Sequence, residues 1–99
     1  MAGPIYKLFI AKYTEAWYQL SKEERDQLSA AEREHAKQSG SKIVLVCDCA
    51  WSTDQWMFFG VEEYPDIESA QRFGRLKLEL PWSRYLEGVS FLGTKWEGE

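Results

Sequence analysis

The sequence predicts an α+β fold: a ferredoxin-like β-α-β-β-α-β unit with a four-stranded antiparallel sheet and its helices on one face. Three observations predict it. Four strand-like and two helix-like stretches follow one another in that order. The strands lack the polar alternation of a sheet with one wet face: in the first, Ile5, Phe9 and Ala11 point one way and Tyr6, Leu8 and Ile10 the other. Ile43-Val44-Leu45-Val46-Cys47 and Trp56-Met57-Phe58-Phe59 are just as apolar throughout. Finally, a chain of 99 residues has too little helix to cover a sheet twice. The second face is therefore expected to meet another copy of the same sheet. Residues 1–99 should form a single domain, small enough that burial in a homodimer matters.

The elements follow in order. Residues 5–13 make the first strand. Thr14-Glu15-Ala16-Trp17-Tyr18-Gln19-Leu20 is a turn or short helical segment. Ser21-Lys22-Glu23-Glu24 has the form of a capping box, in which the serine hydroxyl and the glutamate carboxylate each satisfy the other's backbone N–H. The helix it starts should run to about Gln38 and stop at Gly40, a natural left-handed cap. Its inward stripe is Leu20, Glu24, Leu28, Ala31 and His35, which is thin and partly ionisable, and suits a wall over a cavity. A marginal surface helix fits the same residues. Strands over 42–49 and 55–64 flank a connection rich in Ser, Thr and Asp. Asp66 is placed to cap a second helix from Ile67 to about Glu79, with Ile67, Ala70, Phe73 or Gly74, and Leu78 inward. Pro81 ends it, and a last strand spans Tyr85 to Trp96 before a loose tail, Glu97-Gly98-Glu99.

Composition narrows function by exclusion. The net charge is −4, and Lys and Arg are interspersed with acids, as in Lys22-Glu23-Glu24-Arg25-Asp26. No nucleic-acid surface is expected. No apolar run approaches the ~20 residues that span a bilayer, and Met1-Ala2-Gly3-Pro4 lacks a signal-peptide pattern. A cytoplasmic protein is expected, without a membrane partner. Cys47 and Cys49 fall on one strand face, about 7 Å apart, at the limit for a disulfide. Two small reduced thiols are the simpler reading, and a Cys-x-Cys metal site lacks evident further ligands.

Two stretches resemble a known family. Tyr13-Thr14-Glu15-Ala16-Trp17-Tyr18-Gln19-Leu20-Ser21-Lys22-Glu23-Glu24-Arg25 resembles the opening of small darcynin-like proteins. Phe59-Gly60-Val61-Glu62-Glu63-Tyr64, Trp82-Ser83-Arg84-Tyr85-Leu86 and Leu92-Gly93-Thr94 resemble their later part. The resemblance implies a dimeric α+β barrel, in which two ferredoxin-like sheets face each other. That superfamily includes cofactor-free monooxygenases, cyclases, lactone isomerases and haem enzymes, so the resemblance implies fold and dimer more than reaction.

His35, the single histidine, is the default acid–base because its ordinary pKa lies near neutrality. A solvated helix-end histidine is the plainer alternative. Asp48, within an apolar strand, is a candidate partner for His35 or equally the start of the hairpin turn. Tyr13 and Arg84 are candidate holders of a carbonyl or enolate oxygen, and Trp17 and Trp82 candidate walls for a flat molecule. A surface ion pair for Arg84 and interface anchoring for the tryptophans are the alternatives. No Gly-rich phosphate cradle and no nucleophile elbow is present. One histidine cannot build a typical multi-histidine metal site. The expected function is a cofactor-independent cyclase or isomerase, or a cofactor-free monooxygenase, acting on a small apolar, partly aromatic metabolite. The alternative is a non-catalytic protein that binds a small molecule or a partner.

Overall fold

The computed structural model describes residues 3–98. The elements are β1 (Ile5–Tyr13), α1 (Glu15–Tyr18), α2 (Lys22–Ser39), β2 (Lys42–Asp48), β3 (Phe58–Tyr64), α3 (Ile67–Lys77), α4 (Trp82–Tyr85) and β4 (Leu86–Gly93). The sheet order is β2-β3-β1-β4, and each neighbouring pair is antiparallel. This is the ferredoxin-like α+β architecture. The expectations for Met1-Ala2 and for Glu99 lie outside the described residues.

Local chemistry sets the helix ends. The capping box of α2 is present: Glu24 N donates to Ser21 Oγ at 3.1 Å, and Ser21 N donates to Glu24 Oε1 at 2.9 Å. Gly40 closes α2 with φ 73°, and a Cβ there would also sit 3.3 Å from the Pro65 ring. Asp66 caps α3 by accepting from Ser69 N at 2.7 Å. The Ser69 hydroxyl first, and then that backbone bond, hold its carboxyl below the ordinary value.

Three element boundaries differ from expectation. β3 begins at Phe58, not at residue 55. The preceding loop is shaped by its own side chains, with Asp48 Oδ1 accepting from Ala50 N at 3.0 Å and Thr53 Oγ1 from Gln55 N at 3.1 Å. Residues 82–85, expected as a lead-in and strand start, form the short helix α4. β4 ends at Gly93 because its partner ends there: Gly93 pairs with Tyr6, one residue from the start of β1.

Helix faces differ too. Glu24 is exposed, committed to the capping box, and Glu32 is the partly buried carboxylate of α2 instead. On α3, Ile67 and Leu78 are 41% and 85% exposed, whereas Ser69 and Phe73 are buried. The inward stripe of α3 is therefore rotated toward Ser69, Phe73 and Lys77.

The sheet faces are not equivalent. Lys7, Phe9, Ala11 and Tyr13 of β1 share the face toward the helices, with Phe58, Gly60 and Glu62 of β3 in register beside them. Lys7 and Glu62 thus place opposite charges in the middle of a face expected to be apolar. The opposite face is apolar at its centre: Leu8 and Ile10 of β1 lie between Phe59 and Val61 of β3 and Val89 and Phe91 of β4. Leu45 and Cys47 of β2 extend that strip. Charge appears at its margin, where Lys42 pairs with Glu63 and Lys12 with Glu87. Leu8, Leu45, Val89 and Phe91 stay 39–57% exposed.

Between sheet and helices the core is split. Trp17, Trp82 and Tyr85 pack together at the Tyr13 end of β1, with Leu20, Leu28, Leu80 and Leu86 against them. Tyr64, Phe73, Ser39 and Ser69 are buried toward the other end, where Tyr64 pairs with Ile5. The space between the two clusters is not filled.

Candidate functional site: a half-charged cavity between sheet and helices

That space is a cavity of about 430 Å³, within the range of small-molecule sites. Its floor is the helix-side face of the sheet. Gly60 and Gly88 keep the floor low. A Cβ on Gly60 would stand 2.5 Å from Leu45 O and 2.6 Å from the Phe9 ring. One side of the wall is apolar and aromatic: Phe9, Ala11, Tyr13, Phe58, Trp82 and Leu86. The other side is charged: Lys7, Glu32, Glu62 and Lys77, with Ser29 and Arg33 of α2 beside them.

The aromatic wall is a stack. Tyr13 lies on Trp17 with ring centroids 4.5 Å apart and an 11° interplanar angle, and Trp17 lies 5.8 Å from Trp82. Tyr13 also packs on Phe58 at 5.6 Å. Burial, with a smaller contribution from Glu32, raises the Tyr13 pKa, so its phenol is a hydrogen-bond donor at neutral pH. The Trp82 indole N–H is buried with no partner among the described residues.

The charged wall is organised around Glu62, which is only 8% exposed. Lys7 Nζ approaches its Oε1 at 3.9 Å, Tyr64 Oη donates to it at 3.5 Å, and Ser41 Oγ donates to Oε2 at 3.4 Å. All three contacts are long. Lys7 and Lys77 meet over one ring, their Nζ atoms 6.0 and 5.6 Å from the Phe73 centroid. Burial first, and then Lys77, lower the Lys7 pKa against the opposing pull of Glu62 and Glu32. Burial raises the Glu32 pKa, aided by Glu62 and opposed by Lys77, Lys7 and His35. Burial and the Glu62 carboxylate likewise raise the Tyr64 pKa. Glu32 Oε1 is buried with no hydrogen-bond partner among the described residues, a costly arrangement unless something else meets it.

The structure distributes the sequence-derived candidates unevenly. Tyr13 and Trp82 line the cavity. Trp17 is 7% exposed and sits between them as a buttress. His35 is partly buried on α2 outside the lining, with Nδ1 lacking a partner among the described residues. Asp48 is exposed at the end of β2 and serves the turn; the strand separates it from the α2 end where His35 lies, so the two do not form a pair. Arg84 is exposed on α4, and its carbonyl accepts from Thr14 Oγ1 at 2.6 Å. Sequence reasoning missed Lys7, Glu32, Glu62 and Lys77. Lys7 and Glu62 carried a usable signal: each interrupts an apolar strand on the face shared with Phe9 and Phe58.

The darcynin-like motif resolves into structural roles. Thr14 fastens α1 to α4, Ala16 and Leu20 pack on the tryptophan cluster, and Ser21 and Glu24 cap α2. Arg25 donates to Trp17 O at 3.2 Å and Tyr18 O at 3.0 Å while lying over the Trp17 ring. The opening stretch therefore specifies the corner of the fold behind the cavity, whereas the later stretches contribute Glu62, Trp82 and Leu86 to the cavity lining.

The only histidine is absent from the cavity lining, so the residues present offer no axial histidine to a haem bound there. Among the described residues no group of three or more His, Cys, Asp or Glu is placed to hold a metal ion. Among the described residues no helix is long and apolar enough to cross a membrane.

No family model and no curated protein matches the sequence. Solved structures do. A mutant chlorite dismutase from Candidatus Nitrospira defluvii matches 99% of this chain with a TM-score of 0.74 and 13% identity. This chain spans 42% of that enzyme. Two crystal structures of the RPA0582 protein match 99% and 96% of this chain, with TM-scores of 0.64 and 0.63 and 14% identity. They cover 86% and 85% of that protein, which is described as of unknown function from Rhodopseudomonas palustris. At such identity the likeness establishes the ferredoxin-like α+β fold, and activity has to be argued from the cavity.

Proposed function

We propose that the protein is a cofactor-independent isomerase or cyclase acting on a small, flat, partly aromatic metabolite held in the sheet–helix cavity of each subunit of a homodimer. One observation carries this reading: a buried carboxyl oxygen of Glu32 without a partner, in a cavity whose opposite wall is aromatic. A carboxyl whose pKa is raised by burial holds its proton more tightly than a free one and can deliver it, or remove one, at a bound substrate. Glu32 replaces His35 as the principal acid–base group. His35 acts through Glu32, whose charge it favours. Tyr13 and the Trp82 N–H are the donors to a substrate carbonyl, Trp17 holds them in place, and Phe9 and Phe58 pack the body. Asp48 and Arg84 take no part. Positioning in a shaped cavity supplies the rest of the rate.

The experiment is metabolite profiling of a host-cell extract incubated with the protein and no added cofactor. A substrate–product pair equal in mass, or differing by one water, should appear with the wild type and not with Glu32→Gln. If neither mass change depends on the protein, the catalytic reading fails. A compound that is retained by the protein but unchanged would favour the non-catalytic binding alternative.

A further inference from the structure

We infer that the cavity takes a monoanionic ligand, its carboxylate seated between Lys7 and Lys77 and its flat apolar body lying against Phe9 and Phe58. This rests on the reading of the cavity as a ligand site and adds the chemical class of the ligand. Lys7 from β1 and Lys77 from α3 converge on the Phe73 ring, within 6.0 and 5.6 Å of its centroid. Two ammonium groups so close repel each other, and Lys7 is also largely withdrawn from water, with its side chain 18% exposed. Glu62 is the counter-charge in contact with Lys7, at 3.9 Å, and it is shared with the hydroxyls of Tyr64 and Ser41.

The second carboxyl, Glu32, does not complete the balance. It faces Lys7 on β1, Glu62 on β3, Lys77 on α3 and His35 on its own helix, and the sum of burial and these charges favours its neutral form. The cavity lining carries three cations, Lys7, Arg33 and Lys77, against two carboxyl groups, Glu32 and Glu62, and the upward shift of Glu32 widens that excess. The remaining positive charge lies in the cavity wall, where a ligand carboxylate offsets both the desolvation of Lys7 and its repulsion by Lys77. The unpartnered Glu32 oxygen, when protonated, has a use as donor to the same anion. Arg33, exposed at the rim of the cavity, favours the approach of an anion over a cation.

The test is calorimetric titration of the full chain with three matched probes: 2-naphthoate, 2-naphthalenemethanol and 2-naphthylmethylammonium. The naphthoate should bind about tenfold or more tightly than the alcohol, the scale of a charge-assisted hydrogen bond, and the ammonium least. Lys77→Met should remove the advantage of the naphthoate while leaving alcohol binding in place. That variant keeps the aliphatic stem against Phe73. In the wild type, naphthoate binding should weaken as pH rises through the titration of Glu32, and Glu32→Gln should flatten that dependence. Equal binding of naphthoate and alcohol, or tighter binding of the ammonium, overturns the anion assignment and leaves the cavity reading standing. Binding of none of the three overturns both.

Discussion

A carboxyl group near two lysines is ordinarily held ionised, yet Glu32 is shifted the other way because burial outweighs the pair. The consequence for stability has a definite sign. The folded chain binds its Glu32 proton more tightly than the unfolded chain does. Stability from this group is therefore complete below the ordinary value of 4.5 and is lost as pH rises through the raised folded value. Glu32→Gln, which mimics the neutral form, removes that loss. Melting temperatures of the two proteins should agree below pH 4.5 and diverge above it, with the variant the more stable. A difference that is constant across pH would show that Glu32 titrates alike in both states. Lys7 has the opposite profile. Its lowered pKa makes folding more favourable as pH climbs from the folded value toward 10.5, where the unfolded lysine also loses its proton.

Elements were legible where their chemistry is local. Ser21, Glu24, Gly40 and Asp66 each mark a helix end through the next few residues, and all four act as the spacing implies. What required the third dimension was orientation. Ile67 and Leu78 have the right apolar spacing on α3, but the helix turns Ser69 and Phe73 inward. Both faces of β1 read as apolar from Ile5, Phe9 and Ala11 against Tyr6, Leu8 and Ile10, and Lys7 is the single charge that interrupts that run. The charged half of the site was hidden because its members come from β1, α2, β3 and α3, with no spacing in the chain to join them. His35 attracted attention as a residue type; its position on α2 does not bring it to the cavity wall. Arg25 shows how much of the Thr14–Arg25 stretch is architecture. Its guanidinium reaches two carbonyls at the end of α1 and lies over two rings. A lysine cannot reproduce that fork. Arg25→Lys should lower stability by about 1–2 kcal/mol in denaturant unfolding while leaving any ligand preference of the cavity unchanged. A loss of ligand preference without loss of stability would instead place Arg25 in the site.

For the whole molecule, the two faces of the sheet have separate tasks. The helix side holds a cavity with charge at one end and aromatic rings at the other. The far side presents Leu8, Ile10, Leu45, Phe59, Val61, Val89 and Phe91 as one apolar strip with charges at its margins. A contiguous apolar surface of this kind is rarely left to water. A second copy covering it would leave the helix-side face, with its cavity, free for a ligand. Light scattering at low micromolar concentration tests this most directly. The account expects a mass about twice the 11.6 kDa of the chain, falling toward that of a single chain in Leu8→Glu, where a charge enters the middle of the strip. A wild-type chain that remains folded and monomeric at that concentration would contradict it.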